Sequence, residues 1–170
     1  MDVAEDNVGP GVVWTEERVR ALLERESFTY QRIELPYGLA TKRRDRSATC
    51  RKILPDDLTG KSLLDLGSQS GFFCLEAMKR GAARAVGLEM NPAFVRQARI
   101  LADILGLKAE FRLVDIDEDP LGGPFDYVLC LNVLHHLRNP LGVLDRLIAA
   151  TRERLVLQVD ARGVNISRAV

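Results

Sequence analysis

Ser62-Leu63-Leu64-Asp65-Leu66-Gly67-Ser68-Gln69-Ser70-Gly71-Phe72-Phe73 decides how this chain folds. A short apolar run, interrupted by one acid, passes into a loop with a glycine at each end and then into a new apolar segment. A parallel strand covered on both faces reads as such a near-continuous apolar run. Gly67 and Gly71 allow a tight turn and a close approach of backbone to a ligand above the strand end. The spacing predicts a strand over 62–66 and a helix over 72–80 that Gly81 stops.

Working outward, the same alternation continues downstream. A second strand is expected over 84–88, followed by Asn91-Pro92, an N-cap and a first-turn proline whose missing N–H would be unpaired anyway. That helix runs to about Leu105 before Gly106. Further strands are expected over 109–114, 127–131 and 154–159, with a helix over 140–151 capped by Asn139. Upstream, Thr15 is an N-cap with Glu16 and Glu17 in the first turn, and Val19, Leu22 and Leu23 recur at helical spacing. Residues 1–14, with Gly9-Pro10-Gly11, read as a loose arm in which Trp14 is an anchor. A second helix is expected over 46–53, before Pro55. Strands alternating with helices of about ten residues specify right-handed crossovers and an α/β fold with a doubly wound, mostly parallel sheet of five strands. Residues 1–59 form an N-terminal arm and helical cap, and 60–170 form the α/β domain.

The composition fits that reading. The chain has 170 residues, 46% hydrophobic and 28% charged, with 24 basic residues balancing 24 acidic ones. Wholesale disorder and a strongly basic whole-molecule field are excluded. No apolar run approaches the roughly 20 residues that span a bilayer. The start, Met1-Asp2-Val3-Ala4-Glu5-Asp6, lacks the basic flank and apolar stretch of a secretory leader. A cytoplasmic protein with no membrane partner is expected. Cys50, Cys74 and Cys130 are an odd, scattered set with only His135 and His136 as nitrogen ligands, a poor basis for a metal site or a disulfide framework. Asn165-Ile166-Ser167 matches the glycosylation pattern only by chance in such a protein.

In a doubly wound sheet, ligands bind beyond the carboxyl ends of the strands, where the strand order reverses. Asp65 and the loop after it form the first such end, with backbone N–H groups facing the same space. The second strand ends at Glu89, 24 positions after Asp65. Adjacent parallel strands lie about 5 Å apart, so Glu89 can accept both hydroxyls of a ribose lying across the first loop. A solvated acid at a helix start is the other reading. A dinucleotide oxidoreductase would carry Gly-x-Gly-x-x-Gly; here Gln69 takes the middle position and Phe72 and Phe73 follow, leaving a pyrophosphate little room.

These residues resemble the class I S-adenosylmethionine-dependent methyltransferases. Residues 65–71 are similar to that family's glycine-rich first loop, Glu89 to its ribose acid, and Asp115-Ile116 to the pair closing its third strand. Phe125-Asp126-Tyr127-Val128-Leu129-Cys130-Leu131-Asn132-Val133-Leu134-His135-His136-Leu137 is similar to its fourth strand and the loop beyond. The likeness covers about 60–160. It implies a Rossmann-like fold, methyl transfer as the activity and S-adenosyl-L-methionine as the cofactor. By that likeness Gly67 and Ser68, in the loop that Gly71 closes, lie against the methionine part. Glu89 holds the ribose, and Asp115 with Ile116 borders the adenine. Met90 either packs on the adenine face or fills the core. Gln69 departs from the family's middle glycine.

A narrower likeness lies in Ile33-Glu34-Leu35-Pro36-Tyr37-Gly38, in Leu58-Thr59-Gly60-Lys61-Ser62-Leu63-Leu64-Asp65 and in Gly71-Phe72-Phe73 with Glu76-Ala77-Met78-Lys79-Arg80-Gly81-Ala82. These resemble the branch that includes tRNA wobble-uridine methyltransferase-like proteins. The likeness implies a tRNA uridine as acceptor, with a small molecule as the alternative, and an ordinary or carboxylated S-adenosylmethionine as donor. Such transfer needs mainly alignment. His135, just past the fourth strand, is the candidate general base or substrate orienter, because imidazole titrates near neutrality; a histidine hydrogen-bonded to backbone reads the same. His136 reads as structural. Asn132 lies where the post-strand loop reaches the transferred group, and a helix cap would look alike. Lys42, Arg43, Arg44, Arg46, Arg51 and Lys52 stand against Asp45 alone, a pattern suited to phosphates, to a cofactor carboxylate or to a solvated helix face.

The full family sheet has seven strands, and residues 160–170 are too few for two more strands and a helix at about six residues per strand. The sequence thus predicts a sheet lacking its C-terminal strands, with an open apolar edge at the fifth strand. A truncated product, a homodimer or other edge association, or a non-catalytic module of this fold are the corresponding expectations.

Overall fold

The computed structural model describes residues 12–159. The Gly9-Pro10-Gly11 arm, the Asn165 tripeptide and the segment after the fifth strand lie outside them. Five strands form one sheet: β1 (Ser62–Leu66), β2 (Arg84–Glu89), β3 (Glu110–Leu113), β4 (Phe125–Leu131) and β5 (Thr151–Gln158), in the order β3-β2-β1-β4-β5. Every neighbouring pair is parallel, with Asp65 beside Gly87 on one side and Leu129 on the other. Strand order reverses between β1 and β4. Their carboxyl ends diverge there and open the crevice in which such sheets bind ligands.

The helices are α1 (Glu16–Arg25), α2 (Ser47–Ile53), α3 (Phe72–Lys79), α4 (Pro92–Ile104) and α5 (Pro140–Ala149). Their starts follow the expected chemistry: Asn91 Oδ1 accepts from Ala93 N–H at 2.9 Å and Asn139 Oδ1 from Gly142 N–H at 3.0 Å, each ahead of a first-turn proline. One face of the sheet packs on α3 and α4 through Phe73, Leu75, Ala98 and Leu101; the other packs on α5 through Val143 and Leu147. Val19, Leu22, Phe28, Ile33, Cys50 and Leu54 from the N-terminal segment join the α3–α4 core, so cap and sheet share one interior. Trp14 is an anchor in fact, its Nε1–H donating to Asp103 Oδ2 at 2.8 Å.

Three local features depart from expectation. β5 starts at Thr151, inside the stretch expected to end the helix, because Arg152, Glu153 and Arg154 are exposed polar residues of an edge strand with no apolar signal. Pro36–Gly38 and Leu134–His136 form 3-10 turns, too short for periodicity to reveal. The three cysteines are buried and unbonded. Among the described residues, no helix is long and apolar enough to cross a membrane.

Candidate functional site

A cleft of about 500 Å³ lies over the carboxyl ends of β1, β2 and β4. The loop after β1 sets its floor. Gly67 has φ +71°, and a Cβ there would come within 2.5 Å of Val133 Cγ2; Gly71 has φ +87°, and a Cβ would come within 2.5 Å of the Phe111 ring. Both positions exclude a side chain by conformation and by space. Gln69, in place of the middle glycine, also adopts a left-handed φ of 50°, which costs a non-glycine residue roughly 1–2 kcal/mol. Its N–H donates to Glu89 Oε2 at 2.9 Å, so the turn forms without glycine and is tied to the neighbouring strand.

Glu89 is only 8% exposed and lines the cleft. Its Oε1 accepts from Met90 and Asn91 N–H, each at 2.9 Å. With Gln69, three backbone amides hold this carboxylate, so a diol reaching it shares oxygens that already accept; a carboxylate has about four acceptor directions. Asp65, 3% exposed at the cleft floor, is different: its Oδ2 is buried and has no partner. Burial pushes its carboxyl up to about 8, Glu89 adds to that, and the Arg46 charge opposes it. Arg46 Nε and Asn132 Oδ1 are likewise buried and unpartnered in the same cleft.

The sequence-predicted residues divide into two groups. Asp65, Gly67, Glu89, Met90, Ile116, Asn132 and His135 all line the cleft. Met90 is 53% exposed there, so the core-filling reading falls away. Asn132 has φ +60°, and Val133, not Asn132, precedes the 3-10 turn, which has no side-chain cap; the helix-cap reading also falls away. Ser68, Gly71 and Asp115 do not line the cleft. The Ser68 hydroxyl turns back onto Gly87, where a Cβ would meet its Oγ at 2.6 Å, and Gly71 instead admits the Phe111 ring. The Asp115 carboxylate accepts from Arg138 Nη2 at 3.1 Å and from Asp117 N–H at 3.0 Å. His136 lines the cleft beside His135, their ring centroids 4.0 Å apart.

Sequence reasoning missed Gln31 from the cap, and Phe73 and Phe94 from α3 and α4, whereas Tyr30, an aromatic close to the basic run in sequence, does line the cleft. Gln31 pairs with Arg44 in a parallel bridge, and its Oε1 accepts from Phe72 N–H at 3.2 Å at the start of α3. Thr41 secures the turn, donating to Gln31 O at 2.6 Å and accepting from Ile33 N–H at 2.8 Å. This tertiary clasp brings Tyr30, Arg44 and Arg46 over the cleft. The basic run and the aromatic Tyr30 near it were the sequence signals for this part of the cleft.

Comparison with known proteins agrees with this architecture. Residues 57–162, more than half the chain, match a family described as "Methyltransferase domain". The tRNA U34 carboxymethyltransferase of Idiomarina loihiensis (strain ATCC BAA-735 / DSM 15497 / L2-TR) is 32% identical over 109 residues, 61% of this chain and 34% of that protein. The protein of the same name from Enterobacter sp. (strain 638) is 32% identical over 124 residues, 66% of this chain and 38% of that protein. The chain thus spans little more than a third of these curated relatives. Among solved structures, the bifunctional kinase-methyltransferase WbdD is similar with TM-score 0.66 and 25% identity, over 86% of this chain and 37% of that one. The N-terminal domain of EvdMO1 with SAH bound is similar with TM-score 0.55 and 26% identity, over 61% of this chain and 45% of that one. With its reversed strand order, its left-handed first loop and its matched length, the chain belongs to the methyltransferase-domain family.

Proposed function

We propose that this chain binds S-adenosylmethionine in the cleft and transfers its methyl group to a uridine of tRNA. The observation that carries the donor assignment is the set of orphaned polar atoms in the cleft lining: two buried acceptors, Asp65 Oδ2 and Asn132 Oδ1, and one buried donor, Arg46 Nε, the orphaned Ser68 Oγ lying outside it. Buried polar groups are rarely left unpaired. An α-amino acid end, with an ammonium to donate and a carboxylate to accept, complements this set. Glu89, fixed by three backbone amides, is the ribose acceptor, and Met90 and Ile116 supply apolar contact for the adenine. The SAH-bound EvdMO1 domain supports this choice of ligand.

When bound, S-adenosylmethionine supplies a methyl group already activated on a sulfonium sulfur. The chain's own residues must then orient the acceptor and keep water out. His135 stands at the cleft to orient the acceptor and take its proton, and Tyr30 and Phe94 give an acceptor base aromatic contact. The tRNA acceptor is supported by the names of the two curated relatives. Arg44 beside Arg46, together with those names, favours a second reading in which the donor carries an extra carboxylate.

Calorimetric titration with S-adenosylhomocysteine tests the donor. Binding is expected, and Glu89→Ala should weaken it at least about tenfold, the equivalent of 1.4 kcal/mol. A folded chain that shows no binding overturns the assignment, and the non-catalytic module then leads. With binding established, labelled methyl transfer to bulk tRNA by wild type, but not by His135→Ala, tests acceptor and base together. A carboxylated donor that out-competes the ordinary one favours the second reading.

A further inference from the structure

We propose that the cap segment from Lys42 to Lys52 is a docking surface for single-stranded RNA phosphates, delivering a base into the cleft. This rests on the tRNA reading above and names the surface of this chain that would carry it. The observation is a contrast in pairing. Arg20 meets Glu16, Lys61 meets Glu153, Arg84 and Arg112 meet Glu110, and Arg152 meets Asp126. Arg80, Arg99 and Arg146 are spent on backbone carbonyls.

Lys42, Arg43, Arg44, Arg46, Arg51 and Lys52 make no side-chain hydrogen bond or ion pair among the described residues. The acid within the segment, Asp45, accepts from Ser47 N–H at 2.7 Å and feels the Arg51 charge without a direct ion pair, while Glu24 and Glu26 line a second pocket with Lys42 and Arg43. Outside this segment only Lys108 and Arg154 are similarly unpaired among the described residues. Among the described residues, the cations without a hydrogen bond or ion pair therefore lie almost wholly in one short segment.

That segment opens into the site. Arg44 and Arg46 line the cleft, while Lys42, Arg43, Arg51 and Lys52 face solvent. Tyr30, 48% exposed, stands at the same cleft with its ring 6.3 Å from Phe94 in an edge-on arrangement. Cations without ion pairs beside a cleft that holds an exposed aromatic supply the two components of single-strand recognition, charge for the backbone and a ring for the base. An acidic protein partner would use the charge but has no need of the ring beside the cleft.

The test is fluorescence anisotropy with a labelled single-stranded RNA oligonucleotide over a salt series. The variant is Lys42→Gln/Arg43→Gln/Arg51→Gln/Lys52→Gln, which leaves the cleft-lining Arg44 and Arg46 intact. Its affinity should fall at least about tenfold, and the slope of log K against log salt should flatten by about 0.7 for each phosphate that is no longer neutralised. Lys108→Gln/Arg154→Gln removes the unpaired charge elsewhere and should bind as wild type does. Tyr30→Ala should weaken binding without changing the slope. Equal slopes for the quadruple variant and wild type overturn the proposal, as does polyglutamate displacing the RNA at equal charge concentration. S-adenosylhomocysteine titration of the same quadruple variant separates the two readings: retained cofactor binding with weakened RNA binding is expected. RNA docking without cofactor binding in wild type would remove the methyltransferase reading and leave the surface standing.

Discussion

Burial holds the Asp65 carboxyl protonated up to about 8, far above its unfolded value of 3.8. In that window the native chain keeps a proton that the unfolded chain has released. The resulting stability is full below the unfolded value and disappears as pH rises through about 8. Thermal melts over pH should therefore show wild type losing stability on the way to that pH, with Asp65→Asn giving a flatter profile; coincident profiles would contradict the burial of a protonated acid. An ammonium-bearing ligand reverses the preference and drives the proton off. Titrations of S-adenosylhomocysteine in two buffers of different ionisation enthalpy should differ by that released proton. Gly71 makes a steric prediction. A Cβ at φ +87° within 2.5 Å of the Phe111 ring combines backbone strain with overpacking, so Gly71→Ala should lose roughly 2–4 kcal/mol in urea denaturation.

Among the elements, the loops after β3 and β4 meet at the cleft and are tied by two side chains, Arg138 and Asp117. Arg138 Nη2 reaches Asp115 at 3.1 Å and Glu118 at 3.3 Å, and its N–H donates to Asp117 Oδ2 at 3.2 Å. Asn139 N–H donates to the other oxygen of Asp117 at 3.1 Å, and that bond, with Arg138, holds the Asp117 carboxyl below its usual value. The stability it contributes is present above the ordinary carboxylate value and is lost as pH falls through the lowered value of Asp117. Exposed ion pairs contribute little to global stability. Arg138→Ala should accordingly leave the urea midpoint almost unchanged while weakening S-adenosylhomocysteine several-fold, because Ile116 and Leu137 line the cleft from the two loops. Arg138→Lys should recover part of that loss.

Such cross-loop ties also mark the limit of sequence reading. β1, the loop after it and the Asn91-Pro92 start of α4 were legible because each signal is local: an apolar run, a glycine at a forced φ, a cap. Gln31 against Phe72, and Asp115 turned to Arg138, depend on residues 41 and 23 positions away. Nothing in the local pattern marks them. Ser68 shows the same limit at one atom, since its place in the loop was readable but the turn of its hydroxyl onto Gly87 was not.

At the scale of the molecule, the outer strands of the sheet among the described residues are β3 and β5, and Leu157 and Val159 at the β5 end are exposed. A ligand held by cap, sheet and both loops stabilises all of them together by mass action. S-adenosylhomocysteine at a hundred times its Kd should add about 2.7 kcal/mol and raise Tm accordingly; an unchanged Tm with measurable binding would mean that the cleft survives in the unfolded ensemble. Gln31 adds a clock to this picture. The first amides of a helix have no partner within it, so the N–H of Phe72 depends for protection on an acceptor in the cap. Its deuterium exchange therefore times the lifting of the cap alone, separately from the fraying of α3, and a ligand that fastens the cap should slow that one amide more than its neighbours in the turn.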